Sequence, residues 1–405
     1  MKRTMRGIGA LACAALVVLT GPVGAARPRR GVVDQAAGAS RNGGPRGIYV
    51  YRENPSAPNR DFERALGTSG VDGMAIVLDW SMIEPNPSAF VFDTLDAQLA
   101  LARAHDLAIE LVIRAGKSVP AWVSGASALR LAYAPHRGEG KCQDVSVPPP
   151  WENGYQSAFA AMLDSTASYL RARNAEPAVV KLTGLNATTE ELRLPSEGPD
   201  ETAGCAGGAI DDVAVWQHSG YTPARVEQAF DQLAASFART FTDVPVVLAV
   251  IPTGPFPPID DRGRLVRGRA KQTLGGEVLA AMVKSAAHRL PNRFILQYDF
   301  LLTDRPAEST VMALARENDL PVAWQTNLWL GREGKGAACG GSVARGTPCT
   351  DEQYLNLLEQ GIHPAGGAGR NAQGQFIEVF AFDVLAHPAV IAKAHAELTA
   401  GAPER

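Results

Sequence analysis

The chain is constrained most by a regular alternation of short apolar runs with longer segments of helical periodicity. The short runs are rich in β-branched residues, which is typical of buried strands. In the second helical segment Leu95, Leu99 and Ala102 fall on one face, as an amphipathic helix requires. The short runs cover residues 47–51, 74–79, 109–114, 179–185, 244–251, 294–299, 321–325 and 376–380. The helical patterns cover residues 59–67, 93–105, 154–173, 222–240, 275–289, 307–317, 350–360 and 388–399.

Eight strand–helix units in succession predict a closed parallel (β/α)8 barrel, the TIM barrel. An open, doubly wound sheet is the alternative, but no GxGxxG motif follows the first strand. No linker interrupts the alternation, so we expect one barrel domain over residues 46–400.

Residues 1–26 have the features of a cleaved signal peptide. Lys2, Arg3 and Arg6 form a basic start, residues 8–18 are almost wholly apolar, and small residues follow at 23–26. The apolar run falls short of the roughly 20 residues that span a bilayer, which makes a retained membrane anchor the weaker alternative. Residues 27–45 are expected to form a disordered spacer. The mature protein is therefore expected to be secreted or periplasmic.

The charge and motif content exclude several classes of function. The formal net charge of −3 becomes −6 once the three basic residues of the signal are removed, so neither nucleic acid nor an anionic membrane is an expected partner. The seven histidines are scattered, without HxH or HExxH spacing, so no metal or other cofactor is expected. Neither a GxSxG motif nor a P-loop is present, which disfavours a serine esterase or a nucleotide enzyme. The protein is expected to act as a monomer.

Four cysteines remain after the signal, an even number that favours two disulfides in an exported chain. Cys339 and Cys349 lie close together in one Gly-rich loop and are expected to pair. Cys142 and Cys205 would then join the long loops after the third and fourth barrel strands.

The long connections lie after strands three, four, five and seven. In a β/α barrel these strand-to-helix loops build the active face. All six tryptophans also lie at strand ends or in such loops, at positions 80, 122, 151, 216, 324 and 329. Flat aromatic rings around a cleft can stack on sugars, whereas packing in the core is the alternative role.

Strand parity places a set of polar side chains inside the barrel, because successive strand residues alternate in direction. Glu110 and Lys181 stand early in neighbouring strands and are expected to form a structural ion pair. Asp79, Arg114, Asp299, Gln325 and Glu378 stand later, near the active face.

Several segments resemble the glycoside hydrolases of clan A, a group of β/α-barrel enzymes. Residues 79–85 (DWSMIEP) resemble the second strand and its loop, and residues 113–123 (IRAGKSVPAWV) resemble the third. Residues 149–155 (PPWENGY) resemble the entry to the helix before strand four, and residues 182–195 resemble the fourth-strand segment. The resemblance covers residues 47–195 and is architectural beyond them.

The resemblance implies a two-carboxylate mechanism, in which one group protonates the leaving oxygen and the other attacks the anomeric carbon or activates water. It places the acid/base after strand four, where Glu190 or Glu191 stands, and gives Asn186 a sugar hydroxyl to hold. It places the nucleophile at the end of strand seven, where this chain has Gln325, and an amide cannot serve. Glu378 is then the first choice and Asp299 the second.

The leading hypothesis is a secreted glycosidase with Glu190 as general acid/base and Glu378 as its partner. A non-catalytic carbohydrate-binding barrel is the alternative, favoured by Gln325. The hypotheses differ in whether the carboxylates lie within about 5–10 Å of each other. The expected substrate-binding residues are Asp79, Trp80, Arg114, Trp122, Trp151, Asn186, Glu191, Asp299, Trp324 and Gln325.

Overall fold

The computed structural model describes residues 45–52, 60–133, 143–196, 198, 210–251, 256–301, 310–326, 349–364 and 374–400. The expected signal peptide and spacer, together with Cys142, Cys205, Cys339 and Trp329, lie outside these residues. Within the described ranges, no helix combines the length and the apolar character that crossing a membrane would require.

Eight strands close into a parallel barrel, which confirms the predicted fold. Around the barrel the order is β1, β2, β3, β6, β7, β8, β9 and β10, and β10 pairs with β1 to close it. The strands are β1 (Gly47–Tyr51), β2 (Val71–Asp79), β3 (Ala108–Arg114), β6 (Val179–Lys181), β7 (Val246–Val250), β8 (Phe294–Leu301), β9 (Val322–Thr326) and β10 (Phe376–Phe380).

The fourth barrel strand, β6, is shorter than the sequence predicts. It ends at Lys181 rather than continuing to residue 185. Gly184 adopts a positive φ of 113°, which a strand cannot accommodate and which favours glycine. The chain therefore turns early here and enters the loop that carries Glu190 and Glu191.

The helices that follow the barrel strands form the outer layer, and shorter helices occur in the loops. They are α1 (Arg60–Leu66), α2 (Trp80–Ile83), α3 (Asp93–Ala104), α4 (Ala121–Ser124), α5 (Asn153–Arg171), α6 (Asp212–His218), α7 (Pro223–Thr240), α8 (Arg269–Arg289), α9 (Thr310–Glu317), α10 (Asp351–Ile362), α11 (Ala381–Ala386) and α12 (Pro388–Thr399). Thr350 and Gln353 form a capping box that begins α10.

The long loop after β3 contains an antiparallel pair of strands that the sequence analysis treated as loop. β4 (Leu129–Tyr133) pairs with β5 (Gln143–Val147). Leu131, Val145 and Val147 are buried. The pair therefore extends the packed core beyond the barrel.

The barrel interior is layered, and the layers follow strand parity. Leu111 and Ile113 pack in the core between barrel and helices, whereas Val112 packs inside the barrel with Tyr51. The parity expected for β3 is therefore confirmed. One interior layer is apolar and consists of Tyr49, Val179, Val247, Ile295, Ala323 and Phe376. Polar residues occur two positions further along several of these strands, at Lys181, Gln297, Gln325 and Glu378.

Candidate active site

The polar layer directly above the apolar one is built around a single buried cation. Lys181 Nζ lies 2.8 and 3.0 Å from the two carboxylate oxygens of Glu378 and 3.4 Å from Glu110 Oε1. All three side chains are 0% exposed. The predicted contact between Glu110 and Lys181 is confirmed, and Glu378 joins it as a second acid. Buried charges persist only when they are paired in this way.

In this cluster one cation, Lys181, faces two carboxyl groups, Glu110 and Glu378. Burial and then the neighbouring Glu378 charge raise the pKa of Glu110 well above its usual range. Burial also acts to raise the pKa of Glu378, but Lys181, Glu110 and Gln325 together outweigh it and lower that pKa. The geometry thus favours an ionised Glu378 on Lys181 and a neutral Glu110 beside them.

Glu378 also accepts hydrogen bonds from two amides of the barrel interior. Gln325 Nε2 donates to Glu378 Oε2 over 2.7 Å, and Gln297 donates to the same oxygen. Lys181 is the cation beside Glu378, whereas Arg114 Nε donates to Asp79 Oδ1 over 2.8 Å.

Three further carboxylates converge at the carboxyl-terminal end of the barrel. Oxygens of Glu190, Glu191 and Asp299 all lie within 4.8 Å of one another. Asp299 stands on β8, whereas Glu190 and Glu191 come from the loop after β6. We call these three residues the mouth carboxylates.

Asn186 shapes the loop that carries two of the mouth carboxylates. Its Oδ1 accepts from the Gly184 N–H at 3.1 Å, and its Nδ2 donates to the Thr189 carbonyl. Beyond the carboxylates, the Leu192 N–H donates to the Ala249 carbonyl of β7 at 2.9 Å. The resemblance implied that Asn186 holds a sugar hydroxyl. In the structure its side chain is buried and hydrogen-bonded within its own loop, the loop that carries Glu190 and Glu191.

Two of the mouth carboxylates, Glu191 and Asp299, have pKa values raised by burial. Burial, followed by the charge of Glu190, raises the pKa of Glu191 to about 7. Burial also raises the pKa of Asp299 well above its usual range, although Lys181 acts in the opposite direction. Neither oxygen of Asp299 has a hydrogen-bond partner among the residues that the structure describes.

Glu190 has a different setting, because donors surround one side of its carboxylate. Gln325 Nε2 lies 3.5 Å from Glu190 Oε1, and the Tyr51 hydroxyl interacts with the same carboxylate. Burial and the Glu190 charge raise the pKa of Tyr51, which keeps that hydroxyl protonated. Glu190 Oε2 has no hydrogen-bond partner in the described part of the chain. Tyr51 escaped the sequence analysis, although its parity with Tyr49 in β1 points it inward.

The separation between Glu190 and Glu378 does not exceed the upper limit of about 10 Å that hydrolysis allows. Gln325 Nε2 lies 3.5 Å from Glu190 Oε1 and 2.7 Å from Glu378 Oε2, so these oxygens are at most about 6 Å apart. The Gln325 amide contacts both carboxylates, however, and Glu378 is fully enclosed by its partners. The geometry therefore separates a supporting carboxylate from those at the mouth.

The tryptophans lie mostly in the core. Trp80, Trp216 and Trp324 are at most 1% exposed, so none of them has a ring face open to a sugar. The expected stacking role therefore does not fit Trp80 or Trp324. Trp122 and Trp151 are half-buried.

The two half-buried tryptophans also have partners within the protein. Trp122 Nε1 donates to the Glu84 carbonyl at 3.1 Å. Trp151 packs against Trp216 and Tyr221, and the Arg225 guanidinium lies 4.9 Å from its ring centre.

Asp79 and Arg114 form a fixed pair beside the site. Ser118 Oγ adds a third contact by donating to Asp79 Oδ1 over 2.8 Å. Their charges and Arg114's proximity to Glu190 make this pair part of the site's electrostatic surroundings.

Three solved structures align with this chain at low sequence identity. The catalytic domain of β-amylase from Paenibacillus polymyxa aligns with a TM-score of 0.56 and 11% identity, covering 88% of this chain and 98% of that one. An intracellular xylanase from Thermoanaerobacterium saccharolyticum gives a TM-score of 0.43 at 12% identity and covers 83% of this chain and 85% of its own. A thermostable xylanase mutant from Cellvibrio japonicus gives 0.44 at 12% identity, with 84% and 87% covered.

The similarity to the β-amylase domain shows that the two proteins share a fold. The resemblance to barrel glycoside hydrolases is therefore confirmed at the level of the fold. The sequence itself matches no protein-family model, and no curated protein matches it.

Proposed function

We propose that the protein is a glycoside hydrolase whose proton donor is Glu191 and whose second carboxylate is Glu190. The observation that carries the proposal is the convergence of the mouth carboxylates within 4.8 Å at the active end of a glycosidase-type barrel. Hydrolysis of a glycosidic bond requires two carboxyl groups at close range, one to give a proton and one to meet the anomeric carbon.

Glu191 has the properties of the acid. Its pKa of about 7 keeps the carboxyl largely protonated in mildly acidic solution, as a general acid requires. It is also the most exposed of the mouth carboxylates, since Glu190 and Asp299 are buried. The sequence alone had favoured Glu190 as the general acid. In this proposal Glu191 takes that role, and Glu190 becomes the second carboxylate.

Glu190 has the surroundings of the attacking carboxylate. The Gln325 amide faces its Oε1, and its Oε2 is left without a hydrogen-bond partner among the described side chains. In the proposed first step Glu191 protonates the glycosidic oxygen, the bond to the anomeric carbon breaks, and Glu190 forms an ester with that carbon. Water then cleaves the ester while Glu191 accepts its proton, which regenerates both groups.

The spacing favours retention of anomeric configuration. Retaining enzymes hold their carboxyls about 5–5.5 Å apart, whereas inverting enzymes leave about 6.5–9.5 Å for a water molecule. The mouth carboxylates have oxygens within 4.8 Å of one another, which is closer to the shorter range than to the longer one. Asp299 is the alternative partner for Glu191.

In this proposal Glu378, the partner that the sequence analysis preferred, supports the site without touching the substrate. Both of its oxygens contact Lys181, and two amides also donate to it. A carboxylate so fully bonded is a poor nucleophile.

We further propose that the protein works outside the cytoplasm as a monomer on a poly- or oligosaccharide, after removal of residues 1–26. The proposed disulfides Cys142–Cys205 and Cys339–Cys349 would hold its loops together and stabilise it by roughly 2–4 kcal/mol each. Non-reducing peptide mapping tests the pairs, and a Cys142–Cys339 link would refute them.

The function is tested by screening the purified protein against α- and β-linked polysaccharides and aryl glycosides. We expect release of reducing sugar that Glu191→Gln abolishes and that a chelator leaves unchanged. Sugar binding without turnover would establish the carbohydrate-binding barrel instead. Tight binding of Ca²⁺ at the mouth carboxylates, measured by calorimetry, would indicate a cation site and overturn the assignment of Glu190 and Glu191.

A further inference from the structure

We propose that Gln325 is a positioning residue that acts through Glu190 and is itself held by the buried Lys181–Glu378 pair. The inference rests on the proposed function, because it assigns Gln325 the task of fixing the attacking carboxylate. It gives the buried polar layer a part in catalysis beyond stability.

The nitrogen of the Gln325 amide faces both Glu378 and Glu190. Its Nε2 lies 2.7 Å from Glu378 Oε2 and 3.5 Å from Glu190 Oε1. Ionised carboxylates can only accept hydrogen bonds, so the nitrogen of the amide, and not its oxygen, must face both. An amide nitrogen carries two N–H groups and can therefore serve both acceptors at once.

The contact with Glu378 holds the Gln325 amide firmly in this orientation. Glu378 is anchored by Lys181 on both oxygens and by Gln297 on Oε2, and it is 0% exposed. Gln325 pairs with Glu378 in register across β9 and β10. Rotating the amide would turn its oxygen towards a buried anion, which costs more than an ordinary hydrogen bond because the surroundings exclude water.

The same amide nitrogen of Gln325 also contacts Glu190. At 3.5 Å this contact stands at the outer limit of a hydrogen bond, and catalytic hydrogen bonds are often long until substrate is bound. The anchored N–H thus stabilises a negative charge on Oε1 and orients the carboxylate so that Oε2 faces the substrate.

Gln297 provides a matched control, because it donates to the same oxygen of Glu378 but its described contacts do not include Glu190. Gln325→Met and Gln297→Met each remove one buried amide donor at nearly constant volume. Both variants should lose similar stability, which is measured by thermal unfolding. Only Gln325→Met should alter Glu190.

The kinetic test compares the pH profiles of kcat and KM for the wild type and both variants. For Gln325→Met we expect kcat to fall roughly 10- to 100-fold, the range for losing a hydrogen bond to a charged group, with little change in KM. The acidic limb of the kcat/KM profile should move to higher pH, because the attacking carboxylate loses a donor. Identical profiles for the two variants would overturn the proposal.

A second measurement separates this inference from the proposed function, since it needs no activity. In protein labelled with ¹³C at the glutamate carboxyls, the Glu190 resonance is identified by its absence from Glu190→Gln. It should shift in Gln325→Met and stay in place in Gln297→Met, whereas the Glu378 resonance should shift in both. An unmoved Glu190 resonance refutes the positioning role, and an inactive wild type with a moved one refutes only the glycosidase. If Gln325→Met does not fold, Gln325→Asn shortens the reach and gives the same comparison.

Discussion

Glu378 of the buried polar layer and the carboxylates at the mouth differ in how fully their oxygens are hydrogen-bonded. In the layer, Glu378 contacts Lys181 with both oxygens and accepts from two amides. At the mouth, Asp299 has no hydrogen bond among the described residues, and one oxygen of Glu190 is likewise without a partner. A carboxylate whose oxygens are paired contributes to the stability of the folded state, whereas a carboxylate with an unpaired oxygen is available for reaction. The comparison therefore assigns stability to the first region and chemistry to the second.

The largest expected effect is on turnover at the mouth. Glu190→Gln and Glu191→Gln should each reduce kcat by roughly 10²- to 10⁴-fold, because each removes a carboxyl that acts in the reaction. Melting temperatures should stay close to that of the wild type. Asp299→Asn is the matched control and should retain most activity; its inactivity, with an active Glu190→Gln, would make Asp299 the attacking group.

Next in size is an effect on folding in the buried layer. Lys181→Met removes the cation that contacts both Glu110 and Glu378, and breaking a buried pair in this way costs about 3–5 kcal/mol. Denaturant unfolding measures the loss. Adding Glu378→Gln to Lys181→Met should recover part of the lost free energy of unfolding. A Lys181→Met variant as stable as the wild type would contradict the structural role assigned to the buried polar layer.

A smaller effect concerns the pH dependence of stability. The pKa of Glu191 is about 7 in the folded protein, above its ordinary value of 4.5, so the folded state holds a proton that the unfolded state releases between these values. Stability should therefore fall as pH rises from about 4.5 to 7, by roughly 2 kcal/mol from this group. Unfolding curves at pH 5 and pH 7.5 measure the difference, and Glu191→Gln should reduce it. An unchanged difference in Glu191→Gln would show that Glu191 is not the source.

The smallest effect distinguishes core from cleft among the tryptophans. Trp151 packs on Trp216 and Tyr221, so Trp151→Ala should cost about 1–3 kcal/mol of stability and leave sugar affinity nearly unchanged. Thermal unfolding and a binding titration measure the two quantities. A stable variant with weakened sugar binding would restore the stacking role that the sequence suggested.

Strand periodicity made much of the barrel and its polar interior predictable. Alternation along β3 placed Glu110 and Arg114 inside, and the interior set included Lys181 and Gln325. These predictions succeed because a strand fixes the direction of each side chain to one of two faces.

The conformation of the loops and the pairing of side chains distant in sequence could not be predicted, because no local periodicity encodes them. The partner of Glu378 is Lys181, 197 residues away, which depends on the register of the closed barrel. The turn at Gly184 and the bonds of Asn186 bring Glu191 into the site. The burial of Trp80 and Trp324 depends on packing against other elements, which no local pattern contains.

The central claim is that Glu191 supplies the proton, whereas Glu378 only supports the site. It is tested most directly by the leaving-group dependence of hydrolysis, using aryl glycosides of whichever sugar the wild type cleaves. Glu191→Gln should keep a kcat/KM close to that of the wild type on a dinitrophenyl glycoside, since breaking the bond to that leaving group needs no proton, and should lose it on a poor leaving group. Glu378→Gln should show no such selectivity. Strong leaving-group selectivity in Glu378→Gln, with none in Glu191→Gln, would contradict the account.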